Sequence, residues 1–134
     1  MDKKLLLELL EQYEDIKMEI NKLEKRLKMF KKRTIMVSDV VQNGYKRHAV
    51  IYGVDIFRQE NIDKLEDILS QRYNELLECQ VKVEESLNTL SSDIRQILTH
   101  RYIDGMSWIQ IQFAMRYKHE DKARKKHDRF FEKN

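Results

Sequence analysis

The residues of this chain that could do chemistry are concentrated near its C-terminal end, where cations outnumber carboxylates. Between Arg116 and Asn134 there are eight Lys or Arg residues against four Asp or Glu residues, whereas all 134 residues together have a net charge of only +3. A local excess of cations is typical of a surface that meets phosphate groups. A solvated charged tail has the same composition, so charge alone leaves both interpretations open.

Other kinds of chemical site find little support in the sequence. The four histidines, at positions 48, 100, 119 and 127, do not have the spacing of a metal site, and no glycine-rich loop could cradle a phosphate. We therefore expect no enzyme, no cofactor and no metal. Cys79 is the only cysteine, so an internal disulfide is excluded, which favours a reducing compartment such as the cytoplasm. The N-terminal run of leucines is interrupted by glutamates and predicts neither a signal peptide nor a membrane span.

Long helices are expected to position the basic region. Charged residues make up 37% of the chain, against roughly 25% in an ordinary domain, and there are three glycines and no proline. Within residues 1–33, apolar side chains recur at alternating spacings of three and four, which predicts a first coiled-coil helix with a narrow apolar seam. The seam consists of Leu6, Leu9, Tyr13, Ile16, Ile20, Leu23, Leu27 and Phe30.

A second seam predicts a second coiled-coil helix over residues 61–89. It is weaker, because Arg72, Cys79 and Ser86 stand where further apolar residues would be expected. The simplest arrangement is a long antiparallel coiled-coil hairpin within one chain. A parallel coiled-coil homo-oligomer would bury the same seams, and the sequence does not separate the two. In either case an amphipathic stripe of this kind indicates a scaffold more often than an active site.

The segment 34–60 between the two seams predicts a short irregular or β-containing insert. Its β-branched pairs favour a short strand or extended loop at His48–Val54 and another at Val37–Val41, which could form a hairpin that turns at Asn43–Gly44. Such a connection is longer than a structural connector usually is. It is therefore either a loop folded over the hairpin end or a contact to a partner or DNA through Lys46 and Arg47.

Residues 90–134 predict three further helices. The first ends at Asp104–Gly105, where glycine permits the left-handed conformation that closes a helix. Ser107 is a candidate N-cap for a short second helix with Trp108, Ile111 and Met115 on its apolar face. A third helix, from about His119 to Phe131, has Ala123, His127 and Phe130 on its inner face.

A short middle helix followed by a basic last helix has the proportions of a helix-turn-helix DNA-binding domain. In that geometry the last helix enters the major groove of double-stranded DNA, and its N-terminal half meets the base edges. On charge alone, Lys125, Lys126 and Arg129 are assigned to phosphates. Trp108 is more readily a packed core residue than a donor to phosphate. A generic helical bundle with a basic surface is the alternative. The complete prediction is thus a mainly α protein, a hairpin with an insert followed by a C-terminal helix-turn-helix.

The stretch from Arg95 to Ile111 resembles phage-encoded regulators of the RinA/ArpU kind. The most specific part is Arg101–Trp108, with the sequence RYIDGMSW, and the ending from His119 to Phe130 is similar as well. These regulators in turn resemble the fourth region of bacterial sigma factors. The motif covers about a third of the chain, and the layout of a charged coiled coil, a variable middle and a final helix-turn-helix matches the remainder loosely.

The resemblance implies transcriptional control of phage or prophage late genes in a bacterial host. The implied mechanism is binding to double-stranded DNA, together with a contact to bacterial RNA polymerase. Carried over by position, the resemblance makes Lys118, His119 and Lys122 candidates for DNA contacts at the start of the recognition helix. Two residues depart from the family pattern: Gln112 replaces a small alanine between the helices, and Arg116 replaces the glycine of the turn.

Two alternatives from other classes remain. A phage small terminase subunit, a DNA-packaging adaptor, also combines a helix-turn-helix with a coiled coil, but it usually places the DNA-binding domain first and forms a ring. An interaction protein could use the sigma-like module to bind polymerase instead of DNA. Ring assembly and salt-dependent DNA affinity distinguish these alternatives from the regulator.

Overall fold

In the residues that it describes, the computed structural model has five α-helices and one π-helical turn. It describes the backbone of residues 2–41 and 48–132, and the side chains of residues 2–32 and 58–132. Two long helices come first, followed by three short ones. Their bounds are α1 Lys3–Val41, α2 His48–Leu87, α3 Ser92–Leu98, a π-helical turn Thr99–Ile103, α4 Trp108–Ala114 and α5 Asp121–Glu132. The described backbone contains no strand, so the prediction of a mainly α fold is confirmed.

The two predicted strands are wrong. The segment 37–41 belongs to the end of α1, and 48–54 belongs to the start of α2. Valine and isoleucine lose side-chain freedom in a helix, but the cost is at most about 0.7 kcal/mol per residue. Because no proline interrupts these segments, each continues the helix of its neighbour. The predicted turn at Asn43–Gly44, together with Lys46 and Arg47, lies outside the described residues.

The helices α1 and α2 pair in an antiparallel manner within one chain. In the compact unit formed by residues 18–74, Lys31 of α1 contacts Glu66 of α2, whereas Glu19, earlier in α1, contacts Arg72, later in α2. The apolar seams meet between them and bury Ile20, Leu27 and Ile62. The predicted hairpin is therefore the observed pairing.

A second compact unit is formed by residues 1–17 together with 75–134. Here Leu6 and Leu10 of α1 and Val83 and Leu87 of α2 are almost completely buried. Cys79 fills the apparent gap in the second seam, since the residue is 5% exposed and its thiol lies 3.5 Å from the Leu9 carbonyl oxygen. This unit joins the start of α1 and the end of α2 to the three short helices.

The turn between α3 and α4 follows the predicted signals. Gly105 has a φ of 68°, in the left-handed region that glycine tolerates. Ser107 then caps α4: its hydroxyl accepts from the Gln110 backbone N–H at 3.2 Å, and the Gln110 side chain accepts from the Ser107 N–H at 2.9 Å. This reciprocal pair satisfies two N–H groups that a helix start would otherwise leave without partners.

None of the described helices combines the length and the apolar character needed to cross a bilayer.

Candidate nucleic-acid interface

Helix α5 is held against the other short helices by a small apolar core. Ala123 of α5, Ile111 of α4 and Ile97 of α3 are completely buried and form one cluster. The half-buried Trp108 and Met115 pack against it. Because alanine at the contact allows α5 to approach closely, the opposite face of α5 is turned outward.

The outward face carries a stripe of three cations at spacings of three and four residues. Lys122, Lys125 and Arg129 are all exposed, and helical periodicity places them on one side of α5. Among the described residues, none of the three takes part in an ion pair. We refer to Lys122, Lys125 and Arg129 as the cationic stripe.

The turn that leads into α5 adds further exposed groups. Lys118 and His119, the remaining predicted contacts, are both exposed and lie directly before α5. Arg116 is also exposed and has a φ of 58°, the only positive φ at a non-glycine residue in the part of the chain that the structure describes. Arginine therefore adopts the left-handed turn expected of the glycine it replaces, at a cost of roughly 1 kcal/mol.

Tyr117 supports Lys122 at the start of the stripe. The Lys122 ammonium lies 4.5 Å from the centroid of the Tyr117 ring, within the range of a cation–π contact. Such a contact holds the stem of the lysine while leaving the ammonium accessible.

Lys126 does not belong to the cationic stripe, because its ammonium is engaged by other side chains. Its ammonium donates to the Asp93 carboxylate at 3.0 Å and to the Tyr117 hydroxyl at 3.3 Å, and thus joins α5 to the first turn of α3. The Ser91 hydroxyl and then Lys126 lower the pKa of Asp93 to about 2. The bond to Asp93 raises the pKa of Lys126. The assignment of Lys126 to DNA phosphates remains a prediction, but its charge is already engaged by a carboxylate.

His127 lies among aromatic rings on the inner side of α5. Its ring centroid is 5.3 Å from that of Trp108 and 4.9 Å from that of Phe131. Its Nε2 is 2.8 Å from the Tyr102 hydroxyl, and its Nδ1 is 2.9 Å from the Asp128 carboxylate. Both nitrogens are satisfied if Nδ1–H donates to Asp128 while Nε2 accepts from Tyr102.

Tyr102 keeps its proton at any physiological pH. Burial, followed by the nearby charges of Glu14 and Glu11 on α1, raises the pKa of Tyr102 to about 12. The hydroxyl therefore keeps the proton that it can donate to His127. Through this bond the π-helical turn helps to set the orientation of α5.

Trp108 has the core role that its spacing predicts. The half-buried ring packs on the apolar cluster. The Arg101 guanidinium lies 4.5 Å from its centroid and donates to the Met106 carbonyl at 3.1 Å. Gln112, the other departure from the family pattern, is half-buried, and its backbone carbonyl accepts from the Tyr117 N–H at 2.9 Å.

Two contacts from α1 were missed by the sequence analysis. The Lys17 ammonium donates to the Ile103 carbonyl at 2.7 Å, where the π-helical turn ends. The Lys3 ammonium lies 4.5 Å from the centroid of the Phe130 ring in α5. Both lysines flank the apolar seam and look like ordinary solvated residues, so only the packing of the short helices on α1 identifies them.

The described residues hold no group of three or more His, Cys, Asp or Glu side chains that could bind a metal ion. Burial raises the pKa of the Cys79 thiol, which disfavours the reactive thiolate.

Comparison with protein-family models, with curated proteins and with solved structures finds no match to this chain.

Proposed function

We propose that this chain is a DNA-binding transcriptional regulator in which α4 and α5 form a helix-turn-helix. The observation that carries the proposal is the cationic stripe. Three exposed cations share the side of α5 that faces away from its packing contact, and none is paired with a carboxylate among the described residues. A row of exposed cations of this kind favours a phosphate-bearing partner.

The dimensions of α5 suit the major groove. A helix with its side chains is about 10–12 Å across, and the groove of B-form DNA is about 12 Å wide. With α5 in the groove, its first turn and the preceding Lys118 and His119 meet base edges. Lys125 and Arg129 then neutralise backbone phosphates, which position the helix without reading the sequence.

The resemblance to regulators of the RinA/ArpU kind is part of the proposal. The motif Arg101–Trp108 has specific structural tasks: Arg101 contacts Trp108, Tyr102 bonds to His127, and Gly105 makes the left-handed turn. In a helix-turn-helix, contacts of this kind would fix the orientation of the recognition helix. On this basis the regulated genes are phage or prophage late genes, and the DNA lies upstream of them.

The experiment compares two charge reversals of equal size. One variant is Lys122→Glu/Lys125→Glu on the cationic stripe; the control is Lys22→Glu/Lys25→Glu, which changes two exposed lysines of α1 at the same spacing of three. Footprinting on the DNA that surrounds the coding sequence, followed by fluorescence anisotropy, measures binding. We expect the stripe variant to bind on the order of 100-fold more weakly, since one contact to the base edges and one to a phosphate are lost, and the control to bind like the wild type.

The absence of any footprint, or equal affinities of the stripe variant and the control, would exclude α5 as the DNA-binding element. Thermal unfolding of each variant checks that the fold is retained. We expect both variants to remain folded, because the substituted residues are exposed.

A second candidate is an interaction protein that binds RNA polymerase through the same short helices. It is favoured by Phe113, which is 73% exposed, and by Ile109, one turn earlier on α4 and 52% exposed. Apolar side chains at the centre of an exposed helix face often mark a protein contact. The variant Phe113→Ser tests this candidate. Loss of polymerase binding in the variant would select it, provided that the variant keeps the DNA affinity of the wild type or that the wild type itself does not bind DNA.

A further inference from the structure

One flank of the exposed surface of α5 carries charges of both signs. It consists of Asp121, Arg124 and Asp128, which are all exposed. At about 100° per residue around the helix axis, these three residues lie on one side of Lys125, and Lys122 lies on the other side. We call Asp121, Arg124 and Asp128 the mixed flank.

The charges of the mixed flank suit a different part of DNA from the cationic stripe. A carboxylate repels a phosphate, so a surface that carries both signs does not match the DNA backbone. The edges of base pairs in the major groove are uncharged and present both donors and acceptors. The proposed function places the first turn of α5 at these edges, and in that turn the mixed flank contributes Asp121 and Arg124.

Arg124 is held in place by Asp121. The Nη2 of Arg124 donates to the Asp121 Oδ1 at 2.7 Å, and this is the only bond of the guanidinium to a described residue. The bond leaves Nε, Nη1 and the second proton of Nη2 for a ligand. A long side chain that is already held at its end loses less conformational freedom when it binds. Because both side chains are about half exposed, the pair by itself contributes little to stability.

The donor geometry of arginine selects one base. The guanidinium is a planar fork of N–H groups, and guanine presents two neighbouring acceptors, O6 and N7, in the major groove. Adenine presents a donor beside N7, so it satisfies only one arm of the fork. Lys122, in the same turn, is a point charge without this geometry. Arg124 is the only arginine in the first turn of α5, since Arg129 lies in the last turn.

We propose that Arg124 recognises a guanine through O6 and N7, and that Asp121 is a positioning residue for its guanidinium. This inference rests on the proposed function, since it names a base that the same helix recognises. Asp128, the third residue of the mixed flank, lies 2.9 Å from the His127 Nδ1 and is assigned no base contact.

The experiment measures base preference at single positions. The full-length wild type selects duplexes from a random-sequence pool, and every single base-pair variant of the selected site is then titrated with four proteins. They are the wild type, Arg124→Lys, Asp121→Asn and the control Arg26→Lys. Lysine keeps the charge of arginine and removes the fork. Arg26 is an exposed arginine of α1, so its variant controls for the same exchange outside α5.

The wild type should prefer guanine at one position by at least about 5-fold, which is the lower end of the discrimination of a bidentate pair. Arg124→Lys should lose this preference and keep those at the other positions, and Arg26→Lys should keep them all. Asp121→Asn should lose part of the preference at the same position, because Arg124 is present but less well held. A full preference in Asp121→Asn would contradict its positioning role.

A second measurement tests the atom that is contacted. The base 7-deazaguanine lacks the N7 acceptor, so its use at the preferred position should weaken the wild type by about as much as Arg124→Lys does. The same base should leave the affinity of Arg124→Lys unchanged. Equal losses in both proteins would show that N7 and Arg124 act independently and would overturn the contact.

The outcomes separate this inference from the proposed function. If Arg124→Lys keeps every preference of the wild type, or weakens binding equally at all positions, Arg124 does not recognise a base. In that case the proposed function stands, provided that Lys122→Glu/Lys125→Glu still weakens binding. A wild type that binds the pool without enriching a guanine likewise overturns this inference alone, and a wild type without affinity for any duplex overturns both.

Discussion

Charged residues of the same types have different roles in the hairpin unit of residues 18–74 and on the outer face of α5. In the hairpin, charges on one helix meet partners on the other: Lys31 contacts Glu66, and Glu19 contacts Arg72. On α5, the cationic stripe has no described carboxylate partner. The difference shows that helical spacing alone does not give a lysine its role. A charged side chain that meets a partner on a facing helix helps to hold the two helices together, whereas a charged side chain on an exposed face is available to bind a ligand.

The largest effect on stability is expected from a substitution in the small apolar core that packs against the inner face of α5. Ile111→Ala removes a completely buried side chain from a cluster with Ile97 and Ala123, and we expect it to lower the free energy of unfolding by about 2–4 kcal/mol. The control, Ile109→Ala on the same helix, changes a 52% exposed residue and should cost less than about 0.5 kcal/mol. Urea unfolding followed by the fluorescence of Trp108, the only tryptophan, measures both. Equal losses would show that the core does not position α5.

The turn before α5 gives the next effect, with the opposite sign. Arg116→Gly should raise the free energy of unfolding by up to about 1 kcal/mol, since a side chain at a φ of 58° is strained and glycine is not. Arg116→Ala removes the same charge but keeps the strain, so it serves as the control. Thermal unfolding compares the two variants, and equal stability of glycine and alanine at this position would contradict a left-handed turn.

Two adjacent lysines of α5 allow a comparison between a lysine that stabilises the fold and a lysine that binds DNA. Lys126→Met breaks the half-exposed pair with Asp93 and should lower the free energy of unfolding by about 0.5–1 kcal/mol, with the salt dependence of DNA binding unchanged. Lys125→Met should leave stability unchanged and make the salt slope less steep by about 0.9. The reverse pattern would place Lys126 at the phosphates and remove it from the scaffold.

The smallest effect concerns the pH dependence that arises from Asp93. Its pKa is lowered to about 2 in the folded chain, so its contribution to stability is complete above the ordinary value near 4 and is lost as the pH falls through 2. Because the carboxylate is 43% exposed, screening keeps this contribution below about 1 kcal/mol. The difference in melting temperature between the wild type and Asp93→Asn should therefore shrink between pH 4 and pH 2. A constant difference would show that the charge of Asp93 is not involved.

Local signals in the sequence predicted the short turns well. Gly105 has the left-handed φ expected of it, and Ser107 caps α4 as its type and position indicate. The apolar periodicity also identified most of the residues buried along α1. These features depend on interactions within a few residues, which is why sequence patterns are sufficient to predict them.

Two other predictions failed where local preference competed with context. The β-branched residues of 37–41 and 48–54 favoured strands, but the helices on either side extend through both segments. Helix propagation adds a backbone hydrogen bond for each residue, and this outweighs a small propensity cost when no proline intervenes. Ser91 directly precedes α3, where a serine often caps a helix, yet its hydroxyl donates to Asp93 and does not cap α3.

The sequence by itself determined the helical character of this chain, the seams that pair α1 with α2, and the cations on α5. Only the tertiary structure decided what each cation faces. It sets Lys126 against Asp93, Lys17 against the end of the π-helical turn and Lys3 above Phe130, while the cationic stripe is turned away from the core. Residues 33 or more positions apart make these contacts, and no local pattern encodes which distant side chains will meet. The partner that a charge finds, and therefore its function, depends on how the helices pack.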